Sequence, residues 1–170
     1  MGASVITSFA DKYPDRVHSL IYVDPAFRSP YTPPFGADIP PLWSFMTAIF
    51  DEKGWADEQL GDFQHPEKFP DWPDKYRVQM QYRGFRRARL SEVVANAHLE
   101  QGQQVVRVGA HKRPVLIIWG TEDRSVPFEM SDGVMAEFPH ATLVAIDDAG
   151  HLPQVERPEA FNKALLEFLR

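Results

Sequence analysis

Residues 113–127 read RPVLIIWGTEDRSVP, and the reading of this stretch decides the fold. Val115 to Trp119 are consecutive apolar residues, three of them β-branched, and Gly120 ends the run. The run is too short for a helix. As a strand it is apolar on both faces, so it belongs inside a sheet covered on both sides. A polar loop follows from Thr121 to Ser125, and Pro127 opens PFEMSDGVMAEFP (127–139). That segment reads as a helix with Phe128, Met130, Val134, Met135 and Phe138 roughly on one side. ATLVAIDDAGHLP (141–153) is a second strand with its loop. RPEAFNKALLEFLR (157–170) is an amphipathic helix with Pro158 near its start and Phe161, Leu165, Phe168 and Leu169 on one face.

Upstream, Ala3, Val5, Ile6, Phe9 and Ala10 recur at helical spacing from the first residues, and Pro14 in KYPDR (12–16) ends that helix. VHSLIYVDP (17–25) then reads as a central-type parallel strand. Between Phe27 and about Gly109 the character changes. Pro30, Pro33, Pro34, Pro40, Pro41, Pro66, Pro70 and Pro73 punctuate the segment, with Trp43, Phe45, Phe50, Trp55, Phe63, Phe69 and Trp72 spread between them. Short helices are expected at 42–52, 74–87 and 90–103. The aromatics read either as a second core cluster or as an apolar wall over a pocket. The order helix, strand, insertion, strand, helix, strand, helix predicts an α/β fold with a doubly wound parallel sheet. Residues 1–26 and 110–170 form its core, and 27–109 a mainly helical cap or lid insertion.

Eighteen Lys and Arg against 24 Asp and Glu give a net charge of −6, which excludes an overall electrostatic footprint for nucleic acid or an anionic membrane. Arg83, Arg86, Arg87 and Arg89 cluster in YRGFRRARL, but helical spacing spreads them around the helix as a solvated surface. Cysteine is absent, so disulfides, thiolate metal sites and cysteine nucleophiles are excluded within these residues. His18, His65, His98, His111 and His140 show no metal-ligand pairing and no Gly-rich phosphate loop is present, so neither metal nor cofactor is expected. Without a membrane-length apolar run or a signal-peptide pattern, a cytoplasmic protein is the default expectation.

In open α/β sheets, ligands bind beyond the carboxyl ends of the strands. Asp24, Asp123 and His151 stand there. Asp123 follows VLIIWG, and His151 follows TLVAI in DDAGHLP. A carboxylate and an imidazole delivered to one sheet edge by adjacent strands can pair, the carboxylate fixing the tautomer of a histidine base. Such a pair needs a nucleophile.

The stretch from PVLIIWGTEDRSVP through DDAGHLPQVERPEAFNKALLEFL resembles the last third of an α/β-hydrolase, in chain order nucleophile, acid, histidine. The resemblance implies that Asp123 is the acid and His151 the base, with no cofactor. It also explains the opening MGASVITSFADKYPDRV, which is similar to the continuation of a G-x-S-x-G nucleophile elbow, Met1 and Gly2 matching its last two positions. On that reading the nucleophile precedes Met1, and the Met1 amide is an oxyanion-hole donor. Ser4, Ser91 and Ser131 lack glycine on both required sides, so no intact elbow lies in the 170 residues. The chain is therefore expected to be truncated, to lack the early strands and to be inactive alone. Asp24 in IYVDPA is the alternative acid, because some members, notably dehalogenases, carry the acid after this earlier strand; Asp123 is favoured.

The resemblance implies hydrolysis of a small apolar ester, or of a carbon–carbon bond in aromatic ring-cleavage products, in a full-length parent. A haloalkane dehalogenase or epoxide hydrolase with an aspartate nucleophile is an alternative. A further alternative is a non-enzymatic fragment or half-protein. Without a preceding strand, residues 19–24 would form an open apolar sheet edge for self-association or a complementing chain.

Overall fold

Three parallel strands carry the part of the molecule that positions the site: β1 (Leu20–Val23), β2 (Val115–Gly120) and β3 (Ala141–Ile146), in the order β1-β2-β3. The structure is a computed structural model, and it describes residues 2–27, 39, 52–85, 87–89, 91 and 101–170. Leu20 pairs with Val115 and Val115 with Ala141, so the three strands start level and end at one edge. Thr121 and Asp147 therefore leave the sheet side by side, and Asp24 leaves it level with Trp119, two residues earlier.

β2 is the centre, as its unbroken apolar run predicts, and all six of its residues are buried. Its side chains alternate between two cores, following the period-two geometry of a strand. Val115, Ile117 and Trp119 join Leu20, Tyr22, Phe27, Val105, Val108 and Phe138 on one face. Leu116 and Ile118 join Ile146, Ala149 and Ala164 on the other. β1 alternates buried and half-buried residues and, among the described residues, pairs with β2 alone. Its apolar Ile21 and Val23 are half-buried rather than covered.

The helices form where the periodicity places them. α1 (Gly2–Lys12) ends before a 3-10 turn at Pro14–Arg16. It packs on α4 (Gln101–Gly109), where Arg107 holds both carboxylate oxygens of Asp11 at 2.8 and 2.7 Å and Ser8 Oγ donates to Gln104 Oε1 at 3.1 Å. Between β2 and β3 a 3-10 turn at Phe128–Met130 leads into α5 (Ser131–Glu137). α6 (Pro153–Glu156) is a short turn of helix after the histidine loop, and α7 (Pro158–Phe168) lays Ala164, Phe161 and Phe168 on the second core. Leu169 is exposed, at the end of the face predicted to be apolar.

The chain divides into two compact units: residues 1–29, 62–65 and 100–170, and residues 30–61 and 66–99. The first unit thus contains α4 and residues 62–65, which lie in sequence within the segment read as one insertion. The second unit contains α2 (Glu52–Glu58) and α3 (Trp72–Met80), joined by Arg77, which donates to Asp57 and Asp74 at 2.6 Å each. α3 covers the first part of the helix expected at 74–87; Gln81 to Gly84 turn instead. The helix expected at 42–52 lies almost wholly outside the described residues, and so does most of 90–103. Among the described residues no helix is long and apolar enough to cross a membrane.

Candidate active site

The strand register brings Asp24, Asp123 and His151 to one place, with one donor atom from each lying within 4.8 Å of the others. Asp123 stands three residues beyond β2, on a turn that its own side chain builds. Its Oδ1 accepts the amides of Ser125 and Val126, both at 2.8 Å. This is the local Asx-type turn that favours aspartate after a strand. Oδ2 is left for the imidazole, and His151 Nδ1 lies 2.7 Å from it. The Asp123 side chain is fully buried, and that of His151 is 29% exposed.

The two loops are held together by close backbone approach. A Cβ on Gly120 would collide with the carbonyl oxygens of Gly150 and Ala149, so glycine is required there for the β2 turn to pack against the histidine loop. Glu122 N donates to Ala149 O at 2.9 Å, and Thr121 N to Ile146 O at 3.1 Å. Asp123 and His151 therefore sit on backbones already joined to each other.

The electrostatics distinguish the two aspartates. Burial is the largest influence on the His151 imidazole and draws its pKa down. The hydrogen bond and charge of Asp123, then the charges of Asp24 and Asp62, together outweigh it and hold the pKa above the ordinary 6.5. Asp24 is buried on the first loop beyond β1, in a left-handed backbone conformation with φ of 45°. Its Oδ1 accepts the Gly120 amide at 2.9 Å, and its Oδ2 is buried without a hydrogen-bond partner among the described residues. Burial pushes this carboxyl up to about 8; the Gly120 hydrogen bond opposes the rise, the Asp123 charge adds to it, and His151 also lowers it. A carboxyl that stays protonated at neutral pH offers no charge to an imidazolium. Asp123 is the carboxylate that bonds the imidazole, and Asp24 contributes charge only above its own titration.

With its Nδ1 proton given to Asp123, the His151 ring presents a bare Nε2, and among the described residues no group hydrogen-bonds that atom. The pair can take a proton from a group placed at Nε2 and return it to a leaving group. Of the three groups Asp24, Asp123 and His151, Asp123 already spends both oxygens on the Ser125 and Val126 amides and the imidazole. Met1, read as an oxyanion donor, lies outside the described residues.

Two residues of the site are invisible to spacing arguments. Asp62 O accepts the His151 amide at 2.7 Å, and Asp62 Oδ1 accepts Ser125 Oγ at 2.6 Å. Glu156 accepts the Gly150 amide at 2.6 Å. Asp62 lies 89 residues from His151 in a stretch with no local signal, whereas Glu156 stands in the ERP triplet, visible as part of a pattern but not as a hydrogen-bond acceptor.

The chain is similar to known proteins in sequence and in fold. The hydrolase YugF of Bacillus subtilis, described as uncharacterized, is 33% identical over 73 residues, which are 43% of this chain and 27% of that protein. The 2-hydroxy-6-oxononadienedioate/2-hydroxy-6-oxononatrienedioate hydrolase of Burkholderia vietnamiensis is 41% identical over 64 residues, 38% of this chain and 22% of that protein. A thermophilic esterase from Thermogutta terrifontis superimposes with a TM-score of 0.76 at 27% identity, over 99% of this chain and 61% of that one. The chain thus spans less than two thirds of these relatives' length. The sequence profile of the Alpha/beta hydrolase family matches residues 1–164. With that match over nearly the whole chain and a parallel sheet of the matching fold, the chain belongs to the alpha/beta hydrolase family.

Proposed function

We propose that these residues supply the acid and base of a hydrolase that works by nucleophile, histidine and aspartate chemistry, with His151 as base and Asp123 as its orienting acid. The observation that carries the reading is the 2.7 Å contact between His151 Nδ1 and a buried Asp123 carboxylate that two backbone amides lock in place. The substrate class is a small apolar ester. A second reaction, hydrolysis of a carbon–carbon bond in a 2-hydroxy-6-oxo-dienoate, is favoured by the names of relatives 36–41% identical over 63 or 64 residues. The 170 residues contain no G-x-S-x-G, and the proposal takes its nucleophile from outside them.

The test compares two polypeptides with p-nitrophenyl esters and a dienoate substrate. The 170-residue chain should give no turnover above its His151→Ala variant. A fusion that places the early strands and G-x-S of a relative ahead of Met1 should turn over substrate and lose that activity with His151→Ala. Turnover in the fusion that survives His151→Ala would remove His151 from the chemistry.

A second reading concerns association. Among the described residues β1 has a neighbour on one side only, and Val5 (60% exposed) and Phe9 (42% exposed) lie on the helix beside it. An open strand edge next to exposed apolar side chains is a template for pairing. This supports self-association, or pairing with a complementing chain, through residues 19–24.

A further inference from the structure

We propose that Glu156 is a positioning residue for the acid and histidine pair: its carboxylate ties the histidine loop and residues 62–65 into one brace that sets where the imidazole meets Asp123. Glu156 lies on α6, five residues beyond His151, and among the described residues it hydrogen-bonds neither the His151 ring nor Asp123. It acts through backbone. Oε2 accepts the Gly150 amide at 2.6 Å, while Oε1 accepts the amides of Gln64 and His65 at 2.9 and 3.0 Å.

Residues 62–65 then close the ring. Asp62 O accepts the His151 amide, and Asp62 Oδ1 accepts the Ser125 hydroxyl. Ser125 N in turn donates to Asp123 Oδ1. One short segment, held by Glu156, therefore grips the loops of both the base and the acid. The closeness is visible at Gly150, where an added Cβ would stand 2.5 Å from Asp62 O and 2.8 Å from Gln64 N. Three amides converging on one carboxylate form charge-assisted bonds, which are shorter and stronger than neutral ones. Glutamine cannot replace them, because its NH₂ would face an amide donor on one side. Aspartate keeps the charge but is shorter by one carbon–carbon bond, about 1.5 Å, and cannot span both sides.

These two substitutions separate position from charge. The role rests on His151 being the base, but its readout is the imidazole itself, so a chain that proved to be no hydrolase would leave this result standing. In the full chain, NMR of the His151 ring follows its titration midpoint and its Nδ1 proton. Glu156→Asp should lower the midpoint by about 0.5 pH unit or more, as a weakened Asp123 bond requires, and broaden the Nδ1 proton signal. Asp148→Asn, which removes the outer ion pairs to His65 and Arg157 on the same loops, should do neither. A Glu156→Asp chain with an unchanged midpoint and Nδ1 proton overturns the proposal, and so does a shift seen only in Glu156→Gln. Should Glu156→Asp fail to fold, amide exchange in the unaltered chain decides. The Gln64, His65, Gly150 and His151 amides should exchange together and slowly, and Gln64 and His65 exchanging like an exposed loop overturns it.

Discussion

Asp24 makes a stability prediction whose sign is set by its burial. Lifting a carboxyl from 3.8 to about 8 means that the folded chain keeps a proton that the unfolded chain has released throughout that window. Stability is therefore full below pH 3.8, falls as the pH rises, and levels off above about pH 8. Each pH unit inside the window costs about 1.4 kcal/mol, so the loss is about 2 kcal/mol at pH 5 and about 6 kcal/mol at pH 9. Against a typical domain stability of about 5–15 kcal/mol, the larger figure is a large share of the whole.

Asp24→Asn removes the titration and little else. The amide retains an oxygen for the Gly120 N–H, its NH₂ replaces an oxygen that has no partner, and asparagine tolerates the left-handed backbone at this position. Urea unfolding of both proteins at pH 5 and pH 9 measures the difference. The stability of Asp24→Asn relative to the unaltered chain should grow by about 4 kcal/mol between the two conditions, or about 10 °C in Tm. The comparison cancels any fixed penalty of the substitution itself. A difference that stays constant within about 1 kcal/mol would refute the claim that this buried carboxyl is protonated at neutral pH.

Further outcomes follow from the same geometry. Asp123→Asn removes the acceptor charge at His151 Nδ1, so the imidazole midpoint, held up by that partner, should fall in an NMR titration; in a nucleophile-bearing fusion turnover should drop by about 10³–10⁴-fold. Because the His151 pKa is raised, the stabilisation it lends is present at low pH and lost as pH rises through that value, and Asp123→Asn should flatten this part of the profile. Gly150→Ala drives a methyl into the Asp62 carbonyl and should cost about 1–3 kcal/mol in urea unfolding. Val5→Lys, at an exposed position beside β1, should shift size-exclusion elution toward the monomer; identical profiles for both proteins, each monomeric, would count against the edge as an interface.

The strong elements were legible because each has its own period. β2 is apolar at every position and is buried at every position, and α7 repeats its apolar residues at helical spacing. β1 has the composition of a covered strand, but which strands flank it depends on neighbours that a local pattern does not encode. The segment from 27 to 109 was legible as a change of character and not as a boundary. Residues 62–65 return to the first unit through backbone amides and carbonyls, which carry no residue-type signal.

The same division runs through the site. Strand order and chain direction alone place Asp24, Asp123 and His151 at one edge, because parallel strands in register end together. Which of the two aspartates serves the histidine was decided only in three dimensions. Asp123 has two amides on one oxygen and His151 on the other, so its charge is stabilised where it meets the imidazole. Asp24 has one amide on Oδ1 and, among the described residues, no partner for its buried Oδ2, so burial holds its pKa up. The residue types were written in the sequence, but the hydrogen bonds and solvent exclusion that separate one carboxyl from the other exist only once β1, β2 and the histidine loop have packed.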